Sequence, residues 1–139
     1  MIVLDTNVVS EVFREQPDPG VLWWLDSLTG SVAITAVTAA ELLAGVRQMP
    51  AGRRQALLQA DISATIDTYR SDGAVLPFDV DCAREYAEVR AQRRELGLAT
   101  ATADAQIAAI CRAHGATLAT RNAKDFVETG IALINPWLE

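Results

Sequence analysis

The chain has one histidine, His114, and two cysteines, Cys82 and Cys111, so it lacks the imidazole and thiolate set from which zinc and copper sites are built. The two cysteines are far apart and each falls within a helical pattern, which predicts buried free thiols rather than a disulfide. His114 lies in Arg112-Ala113-His114-Gly115 and reads as a helix C-terminus. No apolar run is long enough to cross a bilayer or to resemble a signal peptide, so a soluble cytoplasmic protein without a membrane partner is expected. A glycine loop of the Walker type is also missing, which argues against a nucleoside triphosphatase. Positive charge is scarce: Lys and Arg number 12 against 18 Asp and Glu, a net charge of −6. That balance argues against gripping nucleic acid through a generally basic surface, but it suits a basic partner protein and leaves room for local basic patches.

What the chain does have is apolar content, 50% of its 139 residues, enough to bury a core without disulfides. No repeat, low-complexity tract or linker interrupts it, and one domain over residues 1–139 is expected. Ile2 to Leu4 is a short apolar run ending at Asp5, suited to a buried strand. Helical spacing follows over Asn7 to Phe13. It resumes from Val21 to Leu28 after the Gln16-Pro17-Asp18-Pro19-Gly20 break. Trp23 and Trp24 are adjacent on that second helix, about 100° apart, so both cannot face one narrow core and one is free to face a partner. Val32 to Thr35 reads as a second strand. Val37 to Arg47 reads as a helix with Thr38 as N-cap and Glu41 three residues on, a capping-box spacing. A long helix to about Tyr69 follows Pro50 and Gly52. Val75 to Phe78 reads as a third strand that Pro77 confines to an edge or ends. Asp81 to Leu96 has Cys82, Tyr86 and Val89 near one face and Arg90, Arg93 and Arg94 nearby, and reads as an amphipathic helix stopped by Gly97. A helix over Ala103 to Ala113, a strand over Thr117 to Thr120 and a fifth over Ile131 to Ile134 complete the pattern. Strands alternating with helices predict a parallel sheet of four to five short strands covered on both faces, with ligands outside the strands' carboxyl ends.

Asp5 closes a strand read as buried and central, where an acid is poorly solvated and calls for a partner or a metal. Glu41 and Asp104 each read as first-turn helix residues, where the helix dipole alone could account for an acid. Were the three to meet, their repulsion would favour a hard divalent cation with oxygen ligands, Mg²⁺ or Mn²⁺. Such a cation suits phosphodiester hydrolysis.

Several segments together resemble a known family. Ile2-Val3-Leu4-Asp5-Thr6-Asn7-Val8-Val9-Ser10 is similar to the opening of PIN domains, and Thr38-Ala39-Ala40-Glu41-Leu42-Leu43-Ala44-Gly45 to their second motif. Ala103-Asp104-Ala105-Gln106-Ile107-Ala108-Ala109 resembles the third, and Leu118-Ala119-Thr120-Arg121-Asn122-Ala123-Lys124-Asp125-Phe126 the fourth. Asn135-Pro136-Trp137 resembles the ending of VapC- and FitB-type members. The resemblance spans essentially the whole chain, in the family's order. It implies a Rossmann-like doubly wound α/β fold, a homodimer, and a toxin with metal-dependent endoribonuclease activity that a cognate antitoxin neutralises. It further implies Asp5 and Asp104 as principal ligands of Mg²⁺ or Mn²⁺ and Glu41 as a third, direct or through water. The fourth acidic position departs from one family pattern: Asn122 stands directly after Thr120-Arg121, and the acid is Asp125. Asp125 therefore reads either as a contributor through bound water or as a cap of a short helix around Phe126.

Thr6, Asn7, Thr120 and Asn122 are candidates to orient the carboxylates by hydrogen bonds, and turn or capping roles are equally open to them. Arg47, Arg53, Arg54, Arg90, Arg93, Arg94 and Arg121 are candidates to meet RNA phosphates, against the alternative of solvated surface charges. Two other functions compete. One is phosphoryl transfer through a nucleophilic Asp5, disfavoured because Asn7 stands where a phosphatase would carry its second acid. The other is a FitB-like subunit of a complex that touches DNA only through the antitoxin, with weak or no nuclease activity.

Overall fold

The computed structural model describes all residues 1–139. Its elements run β1 (Ile2–Leu4), α1 (Thr6–Val12), α2 (Pro19–Ser27), β2 (Val32–Thr35), α3 (Ala36–Arg47), α4 (Arg53–Ser71), β3 (Val75–Leu76), α5 (Val80–Glu95), α6 (Thr102–His114), β4 (Thr117–Ala119), a 3₁₀ turn at Ala123–Asp125, and β5 (Leu133–Ile134). The strands form one parallel sheet in the order β3-β2-β1-β4-β5. The six helices flank it.

Successive residues of a strand point to opposite faces, and the sheet builds two cores from that alternation. Val3, Ala33 and Leu118 face α5 and α6 and pack with Cys82, Val89, Ile107, Ile110 and Phe126. Leu4, Ile34 and Ala119 face the other way and pack with Val8, Val9, Trp24, Leu42, Val46 and Ile62 from α1 to α4. Strands of two to four residues suffice because both faces are covered. Cys82 and Cys111 are buried free thiols within the first core, as the sequence predicts. His114 ends α6, and the left-handed Gly115 (φ 60°) caps it. No helix is long and apolar enough to cross a membrane.

Pro77 ends β3 at Leu76, two residues earlier than expected, and β3 lies at the sheet edge. The adjacent tryptophans divide as the helical angle requires: Trp24 is buried and Trp23 is 70% exposed. The start of α3 corrects the capping-box reading. β2 runs straight into α3, and Thr35, still extended at φ −95° and ψ 158°, accepts the Thr38 N–H at 3.0 Å. Thr38 is therefore buried inside the first turn, and Glu41 belongs to the second turn rather than the first. Thr35→Ala is expected to lower stability by about 1 kcal/mol, read as a shifted denaturant midpoint at unchanged slope. An unshifted midpoint would show that Thr35 contributes no cap.

Candidate active site

β1 lies at the centre of the sheet, with β2 on one side and β4 on the other. The chain thus reverses its direction of winding between β1 and β4, and a crevice opens beyond their carboxyl ends. Asp5 closes β1 there and Thr120 follows β4. The buried Asp5 carboxylate is held on both oxygens: Oδ1 accepts the Thr6 N–H at 2.8 Å, and Oδ2 accepts the Thr120 hydroxyl at 2.8 Å and the Asn7 amide at 3.2 Å. Thr120 Oγ1 in turn accepts the Asn122 N–H at 3.0 Å, and Asn7 Oδ1 accepts the Arg121 N–H at 3.2 Å. Of the two readings open for Thr6, Asn7 and Thr120, these bonds support orientation of Asp5. They also tie the segment after β4 to the end of β1.

Glu41 reaches the same crevice from α3. Its Oε1 accepts the Thr6 hydroxyl at 2.7 Å, and that hydroxyl lies 3.0 Å from Thr38 Oγ1. Asp104, in the first turn of α6, arrives from the opposite face of the sheet. Asp5, Glu41 and Asp104 line one open cavity of about 490 Å³, together with Thr6, Asn7, Arg121 and Asn122. Asp125 does not line it. It ends the 3₁₀ turn, whose N-cap is Asn122, so the capping role considered for Asp125 is not the one observed.

The electrostatics show that these acids sense one another. Asp104 is pushed up to about 6, first by desolvation and then by the negative charges of Asp5, Asp125 and Glu41, with Arg93 opposing. Asp5 is also raised, chiefly by burial and further by Glu41, while its hydrogen bonds from Thr120, Thr6 and Asn7 pull the other way. The donor set is entirely oxygen, without thiol or imidazole, and it suits a hard cation rather than zinc or copper. No three acidic, histidine or cysteine side chains already stand arranged to hold an ion. Glu41 is exposed and Asp104 is half-buried, so both side chains have room to close on Asp5 around an ion.

The arginine candidates separate. Arg121 lines the cavity, its guanidinium 4.9 Å above the Trp137 ring. Arg94 is exposed, and Arg90 donates to the Thr100 carbonyl beside Tyr86. Arg93 is a correction: it donates to the Ala99 and Val127 carbonyls and to Thr100 Oγ1, and at 3% exposed it presents no edge to RNA. It pins the α5–α6 connection to the segment after the 3₁₀ turn and places a positive charge near Asp104. Glu11, Arg14, Ser10 and Trp137 also line the cavity, and the sequence reading singled out none of them for the acidic site.

The fold is a parallel α/β sheet with an acidic crevice at its switch point, and residues 2–131 match the PIN domain family. The chain belongs to that family. It is 42% identical over 138 residues to the VapC ribonuclease Y4jK of Sinorhizobium fredii, covering 99% of this chain and 98% of that one. It is 40% identical to the toxin FitB of Neisseria gonorrhoeae over 99% of both. Among solved structures, FitAB bound to the IR36 DNA fragment superposes with a TM-score of 0.92 at 39% identity, covering 99% of this chain and 96% of that one.

Proposed function

We propose that this chain is the toxin subunit of a toxin–antitoxin pair and an endoribonuclease that depends on Mg²⁺ or Mn²⁺. The observation that carries the proposal is the convergence of Asp5, Glu41 and Asp104, from three separate elements on both faces of the sheet, onto one cavity at its topological switch point. Similarity to a VapC ribonuclease and to FitB supports both halves of the reading.

Asp5 and Asp104 would hold the cation, with Glu41 completing the set directly or through water. A divalent cation bound there supplies charge neutralisation at the phosphodiester and a more acidic water. Thr120, Asn7 and the Thr6 N–H fix Asp5 so that one carboxylate orientation is kept as the site fills. The Thr6 hydroxyl does the same for Glu41. Thr6→Val keeps the branched shape and removes that hydroxyl. It is expected to weaken Mn²⁺ binding about tenfold with the fold intact; a titration indistinguishable from the parent would remove Thr6 from this role. Asp125 sits outside the cavity, and its part is the negative field it adds at Asp104.

The likeness to FitAB on DNA supports a second, compatible role, in which an antitoxin carries this chain to DNA. One experiment separates the two. Partner-free protein is incubated with total cellular RNA in Mg²⁺, in Mn²⁺ and in chelator, beside Asp5→Asn. Discrete metal-dependent fragments, absent with the variant, are expected. An inert free protein that still joins a DNA-binding complex would leave only the second role.

A further inference from the structure

Glu11 is an acid of the cavity wall that the metal site does not use. It is 3% exposed on α1, and its carboxylate has two partners: Oε2 accepts the Asp18 N–H at 2.8 Å, and both oxygens accept Arg14 Nη1, at 3.2 and 3.3 Å. Asp18 is the N-cap of α2, so Glu11 anchors the whole α1–α2 connection. Arg14 lies just past Phe13, the C-cap of α1, and its side chain is 62% exposed although one nitrogen is fixed by Glu11. Nε and Nη2 have no protein partner, which leaves an edge of the guanidinium free to receive a phosphate.

The location gives that free edge a use. Arg14 lines the acidic cavity and also a neighbouring groove of about 300 Å³ formed by α1, α3 and α4; Thr6, Ser10 and Glu41 border both. Of the residues shared by the cavity and the groove, Arg14 is the one cation. Charge balance points the same way. The cavity wall carries four acids, Asp5, Glu11, Glu41 and Asp104, against two cations, Arg14 and Arg121. Glu11 is already paired with Arg14, so the remaining acids are those proposed to hold a cation, and a polyanion approaching the filled site meets Arg14 at its rim.

We propose that Arg14 binds a backbone phosphate of the RNA next to the one to be cleaved, and that the buried Glu11 is its positioning residue. This rests on the endoribonuclease reading above and adds to it the residue that sets where the RNA backbone enters. Glu11 removes the rotamer freedom that an arginine otherwise loses on binding phosphate, so the fork is presented ready-made.

The test is binding of a fluorescein-labelled single-stranded RNA, followed by anisotropy over a range of salt, in the Asp104→Asn background where cleavage is suppressed. Arg14→Ala is expected to weaken binding about tenfold and to lower the slope of log affinity against log salt by about 0.7, the loss of one phosphate contact on a single strand. Arg14→Lys keeps the charge and is expected to keep the slope while recovering only part of the affinity. Glu11→Gln frees a charged Arg14, and is expected to weaken binding at unchanged slope. Arg70→Ala, an exposed arginine at the end of α4 outside both cavities, serves as the charge control and is expected to change neither. Thermal denaturation of each variant shows that it is folded. Arg14→Ala binding with the parent's affinity and slope would overturn the proposal and leave the nuclease reading intact, since that reading is tested separately by Asp5→Asn cleavage. If RNA does not bind even before Arg14 is changed, the proposal falls, and metal-dependent cleavage by the parent decides whether the nuclease reading falls with it.

Discussion

Asp5→Asn is expected to reduce metal-dependent RNA cleavage by at least about a thousandfold, equivalent to roughly 4 kcal/mol of transition-state stabilisation. The variant is nearly isosteric and should stay folded, because the amide oxygen in place of Oδ1 can still accept from the Thr6 N–H, and the amide nitrogen in place of Oδ2 can donate to Thr120 Oγ1. What it loses is the only buried negative charge among the three proposed ligands. The other acids should grade by position. Asp104→Asn is expected to approach the effect of Asp5→Asn, since Asp104 lines the cavity and its ionisation is coupled to Asp5. Glu41→Gln should cost less, because Glu41 is exposed and tied to Thr6. Asp125→Asn should cost under about tenfold, as expected of a residue acting from outside the ligand set. Rates from single-turnover cleavage of one defined RNA give this order; an Asp125 effect equal to that of Asp5 would place a fourth ligand in the site.

The second large effect is on stability and has a definite sign. Asp104 ionises near 6 in the folded chain against an ordinary value of 3.8, and Asp5 is displaced upward with it. Across that window the folded protein retains protons that the unfolded chain has released, so its stability falls as pH rises from about 4 to about 6 and then levels. Asp104 is partly exposed, so solvent screening reduces its share to the order of 1 kcal/mol, about 3 °C in melting temperature. Without metal, Asp104→Asn should therefore melt higher than the parent at pH 7.5 and level with it at pH 4. Adding Mn²⁺ at pH 7.5 should raise the parent's melting temperature and leave the variant's almost unmoved. A variant that melts lower than the parent at pH 7.5 would show that Asp104 is stabilised by its surroundings, contrary to the electrostatics described here.

The features legible in the sequence are those set by local chemistry. Ile2 to Leu4 ends at an acid, and that apolar run is the central strand with Asp5 at its carboxyl end. Pro77 marked the edge strand, and the adjacent tryptophans divided between core and surface as helical geometry requires. Glu41 lines the crevice but sits one turn later in α3 than the capping-box spacing predicts, because Thr35, at the end of β2, caps α3 where strand and helix join without a loop. Arg93, expected as a candidate RNA contact, carries its burial in the pattern of α5. Cys82, Tyr86, Val89 and Arg93 fall at intervals of four, three and four, so the buried stripe of α5 continues to Arg93, where backbone carbonyls substitute for water. Glu11 gave a weaker signal, an i,i+3 pair with Arg14 common to many exposed helices, and its burial depends on the α1–α2 connection folding over it. Trp137 enters the cavity wall only because β5 brings the end of the chain beside β4.

The most direct measurement is Mn²⁺ binding at pH 7.5, followed by electron paramagnetic resonance of the free ion, in the parent, Asp5→Asn, Glu41→Gln and Asp104→Asn. If the three acids form one site, the parent binds Mn²⁺, Asp5→Asn and Asp104→Asn lose binding, and Glu41→Gln weakens it. Undiminished binding by both Asp5→Asn and Asp104→Asn would contradict the account, because the cation would then be held somewhere other than the crevice between β1 and β4.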